Sequence, residues 1–226
     1  MNSTMLLSIS SLIYVTILSI VFFGKNKIPS NELSIFSRLI INTLVSLIIE
    51  ILLVVFIITK NPLLVIVLKI FNVCIFTWVW SFVLYTVLIS RKHENINYKE
   101  GNLYKLYKIF YLIVTLFLLA LPVYLNNTPF KEYSYGPSVS LLFSVIGVML
   151  VVMIIVIVLN ISNVRKKRCL PIFLFVILMV VNAIIQNRYP NILLANTIFS
   201  IITFIMYFTI ENPDFKMMNE LELAKN

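Results

Sequence analysis

Ser138-Val-Ser-Leu-Leu-Phe-Ser-Val-Ile-Gly-Val-Met-Leu-Val-Val-Met-Ile-Ile-Val-Ile-Val-Leu-Asn-Ile161 contains no charged side chain. A helix that crosses a bilayer needs about 20 mainly apolar residues at about 1.5 Å rise each, and this run supplies them. Its Ile and Val content would suit a strand, but it is far too long for one. An open sheet could not satisfy its backbone in lipid, so the run reads as a helix. Six more runs follow the same rule: Met5–Phe23, Ile35–Thr59, Leu63–Ser90, Leu106–Leu125, Cys169–Gln186 and Ile192–Ile210. Between them stand Gly24, Pro29, Asn61-Pro62, Gly101, Pro129, Gly136-Pro137 and Pro190, residue types found where helices stop and turn. The expected fold is all-α, a polytopic transmembrane bundle of seven helices, with no internal repeat.

Composition agrees. Of 226 residues, 61% are hydrophobic and only 12% charged, with a mean hydropathy of +1.01. A water-soluble fold could not hide so much hydrocarbon, because its surface must be largely polar. The net charge of +9 does not indicate a nucleic-acid partner, since the basic residues form short clusters between apolar runs. Cys74 and Cys169 fall in separate apolar runs at different depths, which argues against a disulfide. His93 is the only histidine and cannot make a zinc site alone; no metal and no cofactor are expected. Met5–Phe23 lacks the basic start and small-residue cleavage site of a signal peptide.

Lysine and arginine set the expected orientation, because cytoplasmic loops hold their excess. Lys25 and Lys27, then Arg91, Lys92, Lys99 and Lys105, then Arg165, Lys166, Lys167 and Arg168 occupy alternate connectors; the others hold only Lys60, Lys131 and Arg188. The N-terminus is thus expected outside and the C-terminus in the cytoplasm. In this count Asn187–Asn191 is an external turn; as a kink within one long element it would put the tail outside. The Ile, Asn, Lys and Tyr bias looks bacterial, so the expected location is a bacterial inner membrane. The sequons at Asn126 and Asn160 are accordingly read as chance.

After the seventh run come Glu211, Asn212, Pro213 and Asp214. Asn212 suits an N-cap, Pro213 the first helical position and Asp214 the positive end of a new helix. Met217, Leu221 and Ala224 follow at spacings of four and three, either the start of a coiled-coil stripe or a frayed amphipathic tail. Residues 1–211 therefore read as the membrane domain and 212–226 as the start of a cytoplasmic helix.

The stretch Met206-Tyr-Phe-Thr-Ile-Glu-Asn-Pro-Asp214, running into Asn219-Glu-Leu-Glu-Leu-Ala-Lys-Asn226, resembles the junction between the multi-span input region and the signalling helix of bacterial sensor histidine kinases. Tyr133-Ser-Tyr-Gly-Pro137 and the seven-span arrangement also look like that group. The resemblance implies a sensory input module that homodimerises through the cytoplasmic helix and passes a stimulus to kinase domains. Those domains are absent from this chain, and His93 matches no phosphoacceptor box, so the chain itself is not expected to be an enzyme.

Charge inside a bilayer is costly and marks a candidate site. Glu50 and Lys69 lie about eleven and eight residues from the Asn61-Pro62 turn, a depth mismatch of about 4.5 Å on antiparallel helices, so they are expected to pair. Asn72 follows Lys69 by three, nearly level with Glu50. Such a pair either locks two helices together or serves as a ligand or switch site. Asn182 and Gln186, four apart, and Asn196 have amides suited to hydrogen bonds between helices. Trp78 and Trp80 sit mid-span, as packing or as the lining of a pocket for a small amphipathic ligand, which Tyr133 and Tyr135 could close. Arg38 and Lys108 are expected to snorkel to the inner interface.

No His-Glu-x-x-His, Gly-x-Ser-x-Gly or Walker-type loop is present, and the last run has no lysine to hold a retinal. Besides a sensor, the other class considered is a small carrier or permease using Glu50, Lys69 and Asn72 for a solute. It would be expected to show repeated halves and Gly/Pro-broken spans, which are not visible.

Overall fold

The computed structural model describes residues 2–25, 30–90, 102–128, 131–160, 166–189 and 193–210. Within them are seven helices, α1 (Asn2–Phe23), α2 (Asn31–Thr59), α3 (Leu64–Ser90), α4 (Asn102–Ala120), α5 (Pro137–Leu159), α6 (Lys166–Arg188) and α7 (Ala195–Ile210). One hairpin, β1 (Tyr124–Thr128) with β2 (Lys131–Tyr135), joins α4 to α5. Five helices, all but α4 and α7, are long and apolar enough to cross a membrane by length and composition.

The helix ends follow local chemistry. Ser30 caps α2, its Oγ accepting from the Leu33 amide at 3.2 Å, and Glu32 complements the positive end of the helix. At the other end Lys60 turns left-handed (φ 50°, ψ 41°), its amide donating to Ile57 O and the Asn61 amide to Phe56 O, which is a Schellman arrangement. Asn61 Oδ1 then accepts from the Leu63 amide at 2.9 Å, and Pro62 prevents the helix from continuing. A lysine pays about 1 kcal/mol for that left-handed backbone. Lys60→Gly is therefore expected to raise stability by about that amount, read as a higher melting temperature in detergent; no rise would mean that the lysine side chain offsets its own strain.

The fourth run ends earlier than its hydropathy implied. α4 stops at Ala120 instead of continuing to Leu125, and the next residues form strands that an apolar-run reading does not anticipate. The cause is Pro122, which has no amide hydrogen to give to Leu118 O. The buried Ser138 hydroxyl donates to that carbonyl instead, at 2.9 Å, and so ties the start of α5 to the end of α4. The hairpin fills the gap, with Tyr124 opposite Tyr135 and their rings 5.5 Å apart. Gly136 closes it at φ 121°; a Cβ there would lie 3.0 Å from the Tyr124 ring and 3.1 Å from Pro122 O. α6, conversely, starts at Lys166, ahead of Cys169, so that Pro171 lies inside it.

α3 is the most enclosed of the apolar helices and packs against α2, α4, α5 and α7. Phe71, Ile75, Phe76, Val79, Phe82 and Val83 are buried on it, as expected of a helix that is apolar all round. α5 is equally apolar but buries only the stripe Ser138, Leu142, Ile146, Met149, Met153 and Ile157. Its other side leaves Val148 64% and Leu159 76% exposed, alongside Val151, Ile155 and Val158. Outer faces this apolar suggest a membrane protein, because water-soluble proteins rarely expose large contiguous apolar patches.

Chain direction is visible in the contacts. Phe22 meets Phe36 (4.9 Å between rings) and Ser8 meets Glu50, so α1 and α2 run antiparallel. α1 and α7 run parallel, Tyr14 meeting Phe204 and Lys25 meeting Tyr207. Phe175 and Phe199 lie 6.2 Å apart, whereas one continuous helix would separate them by about 36 Å. α6 and α7 are therefore not one continuous helix, and α7 folds back along α6.

Candidate functional site

α1, α2 and α7 meet along a polar seam. The buried face of α1 is Thr4, Ser8, Ser11, Val15, Leu18 and Phe22, alternating steps of four and three, with its small polar members in the first half. α2 places Thr43, Ser46 and Glu50 on one face by the same spacing, and α7 places Asn196, Ser200 and Thr203. All of these side chains are buried.

Glu50 is the centre of the seam and is 1% exposed. Its Oε1 accepts from Ser8 Oγ at 2.8 Å, and its Oε2 accepts from Asn196 Nδ2. Asn196 spans the α2–α7 interface: Nδ2 also donates to Ser46 O at 3.2 Å, and Oδ1 accepts from Ser46 Oγ at 2.7 Å. Further along, Trp78 Nε1 donates to Thr43 Oγ1 at 2.9 Å, and Thr43 Oγ1 lies 3.4 Å from Thr203 Oγ1. Thr43, Ser200 and Thr203 each donate back to their own helix, at Leu39 O, Asn196 O and Phe199 O, so the hydroxyls do not compete with the ladder.

The expected Glu50–Lys69 pair does not form. Lys69 Nζ donates to Leu119 O at 2.7 Å, on the last turn of α4, where a cation suits both the free carbonyl and the helix dipole. Depth was the right quantity but not sufficient. Lys69 and Trp78 are nine residues apart, which at about 100° per residue puts them on opposite faces of α3. Trp78 faces α2 and α7, so Lys69 faces α4. Among the described residues, every recorded partner of Glu50 is neutral.

The remaining candidates separate from the seam. Asn72 is buried, but it is not a partner of Glu50, and its Nδ2 has no hydrogen-bond partner among the described residues. Asn182 donates to Gln186 at 3.5 Å on its own helix; no bond to a second helix is recorded for either amide, and Asn182 Oδ1 has no partner among the described residues. Trp78 is fully enclosed: its ring stacks on Phe199 at 4.1 Å and 5°, with Phe82 at 5.1 Å and Phe175 at 5.2 Å. It is core and lines no open surface. Trp80 stacks on Tyr107 at 3.7 Å, between α3 and α4. Tyr135 is exposed at the hairpin. Glu211, Asn212, Pro213, Asp214, Met217, Leu221, Ala224 and His93 lie outside the described residues, as does the Tyr133 side chain.

Ser8, Thr43, Ser46, Ser200 and Thr203 were not singled out from sequence. The usable signal was small polar residues recurring at three and four inside apolar runs, which marks a face made for another helix. A further link sits at the far end of the seam, where Lys25 Nζ donates to Tyr207 Oη at 3.0 Å and lies 5.5 Å from the ring centroid.

Chemically, the seam offers a buried carboxyl, hydroxyls and one carboxamide. No group of three His, Cys, Asp or Glu among the described residues could hold a metal ion. Comparison with protein families, with curated proteins and with solved structures finds no match.

Proposed function

We propose that the chain is the membrane-embedded sensory input module of a signal-transducing receptor of the histidine-kinase type, with α7 as its output helix. All seven helices cross the membrane, the N-terminus lies outside and the tail lies in the cytoplasm, in the inner membrane of a bacterium. The lipid bilayer is the chain's solvent, and the cytoplasmic helix pairs with that of a second copy.

What supports this is how α7 is held. At its start Asn196 is tied to Glu50 and Ser46, and at its end Tyr207 is tied to Lys25. Both ties reach the α1–α2 hairpin, so a change in that hairpin moves α7 relative to the bundle. The parallel run of α1 with α7, and the folding of α7 back along α6, fit a chain that makes seven passes in alternating directions. A stimulus must favour one arrangement of this contact by a few kcal/mol, since a ligand that binds both states equally shifts nothing.

The test grafts residues 1–226 onto the dimerisation and ATP-binding portion of a histidine kinase and compares the parent with Glu50→Gln. The variant is expected to insert normally and to change autophosphorylation severalfold, with a reporter at Asn226 inside and one at Arg188 outside. Unchanged phosphorylation with normal insertion, an Asn226 reporter found outside, or solute uptake into proteoliposomes would overturn the proposal. The last result would point to a carrier.

A further inference from the structure

Glu50 is a carboxyl group buried in an apolar bundle, and among the described residues no cation reaches it. Lys69 is committed to Leu119 O, and Lys25 lies with Tyr207. Arg38 and Lys60, on α2 itself, are about 18 and 15 Å away along the axis. The groups facing Glu50 from α1 are Ser8 and, through it, Thr4; from α7 it is Asn196, whose carbonyl accepts from Ser200 one turn on. None of them is charged or titratable. On α3 the polar groups recorded against α2 are Trp78 Nε1 and the Cys74 carbonyl, both farther along the helix.

Hydrogen counting sharpens the point. Ser8 Oγ is 2.8 Å from Glu50 Oε1 and 2.9 Å from Thr4 O, so one hydroxyl oxygen stands within hydrogen-bond distance of two others. The hydroxyl has one hydrogen for two acceptors. When it turns to Thr4 O, the Glu50–Ser8 contact has no hydrogen and sets two oxygens against each other. One positive charge at Glu50 Oε1 satisfies both the contact and the bilayer, where an uncompensated carboxylate is costly. Ser8 stands six residues from the start of α1, about 9 Å from that end of the helix, a short path for a small ion.

We propose that the junction of Glu50, Ser8 and Thr4 is a site for one exchangeable monovalent cation, a proton or a sodium-sized metal ion, held by the carboxylate, a hydroxyl and a backbone carbonyl. Occupancy neutralises the seam and leaves Asn196 bonded to the second carboxylate oxygen; vacancy leaves a bare charge against α1 and α7. This deepens the sensory reading by naming a stimulus class, but it is tested on the chain alone.

The probe is dicyclohexylcarbodiimide, applied to the purified chain in lipid nanodiscs. It adds across a carboxylic O–H, the carboxyl oxygen bonding to the central carbon and the hydrogen passing to nitrogen, and an acyl shift then leaves a stable acylurea that mass spectrometry locates. Labelling of Glu50 that falls as sodium chloride is raised at fixed pH, with choline chloride without effect, supports the site with a metal ion as occupant. Labelling that ignores sodium and is lost as pH rises supports it with a proton as occupant. In the first case Ser8→Ala is expected to weaken sodium protection severalfold. Labelling insensitive to both sodium and pH, or absent under every condition with no retained sodium-22, overturns the proposal. Because no kinase is attached, that failure leaves the sensory reading standing.

Discussion

Asn196→Leu is expected to destabilise the bundle by about 2 kcal/mol, because three hydrogen bonds between α7 and α2 are lost at about 0.6 kcal/mol each. The groups left behind add to the effect: Ser46 Oγ and Glu50 Oε2 turn to Asn196 in the native bundle, whereas Ser46 O keeps its place in the helix ladder. A buried polar group that loses its partner costs more than a pair removed together. The double variant Glu50→Leu/Asn196→Leu is therefore expected to be more stable than Asn196→Leu alone, since Ser8 then gives its one hydrogen to Thr4 O. Unfolding of the four proteins of this cycle in detergent gives the coupling directly. A single variant indistinguishable from the parent, or a double variant equal to the sum of the singles, would show that the seam does not hold the helices together.

Trp78→Ala is expected to cost more, about 3–5 kcal/mol. The indole lies between Phe199 on one side and Phe82 and Phe175 on the others, with no exposed surface, and those rings come from α7, α3 and α6. No single neighbour can relax into the space without leaving the rest. In lipid the driving force between helices is van der Waals packing and not escape from water, so the cavity is the part of the cost that counts. Trp78→Phe keeps the stack and loses the bond to Thr43 Oγ1, which still donates to Leu39 O; its expected cost is about 1 kcal/mol. The order, alanine far below phenylalanine, is read from thermal unfolding in detergent. Equal effects would mean that the indole hydrogen bond, and not the aromatic stack, holds α3 to α7.

Much of the fold was legible because length in an apolar helix is an additive property. Each residue between Ile35 and Thr59 contributes its own transfer energy and its own 1.5 Å, and the structure places α2 over Asn31–Thr59. Ends were legible where a residue acts alone, as Asn61-Pro62 and Gly136-Pro137 do. The end of α4 was missed because Leu121, Val123 and Leu125 keep the apolar count high on both sides of Pro122, and a hydropathy sum does not register one missing amide hydrogen.

The candidate site was half legible, for a related reason. Glu50 is conspicuous as a charge in an apolar run, and its depth follows by counting from the turn. Its partners do not, because a partner depends on the angle around the helix as well as the distance along it. On a water-soluble helix the apolar stripe supplies that angle. α3 has no such stripe; it is apolar on every side, so nothing in its composition says that Lys69 turns to α4 while Trp78 turns to α2 and α7.

From its residues alone, the chain is committed to apolar helices, to the positions of most of their ends and to a carboxyl group in the interior of one of them. Which helices share that carboxyl was left to the packing. Ser8, forty-two positions earlier, and Asn196, one hundred and forty-six positions later, reach Glu50 only because α1 and α7 close on the same edge of α2. Lipid rewards every apolar face equally, so the choice among faces falls to short-range complementarity: small hydroxyls that let backbones approach, and one amide long enough to bridge them.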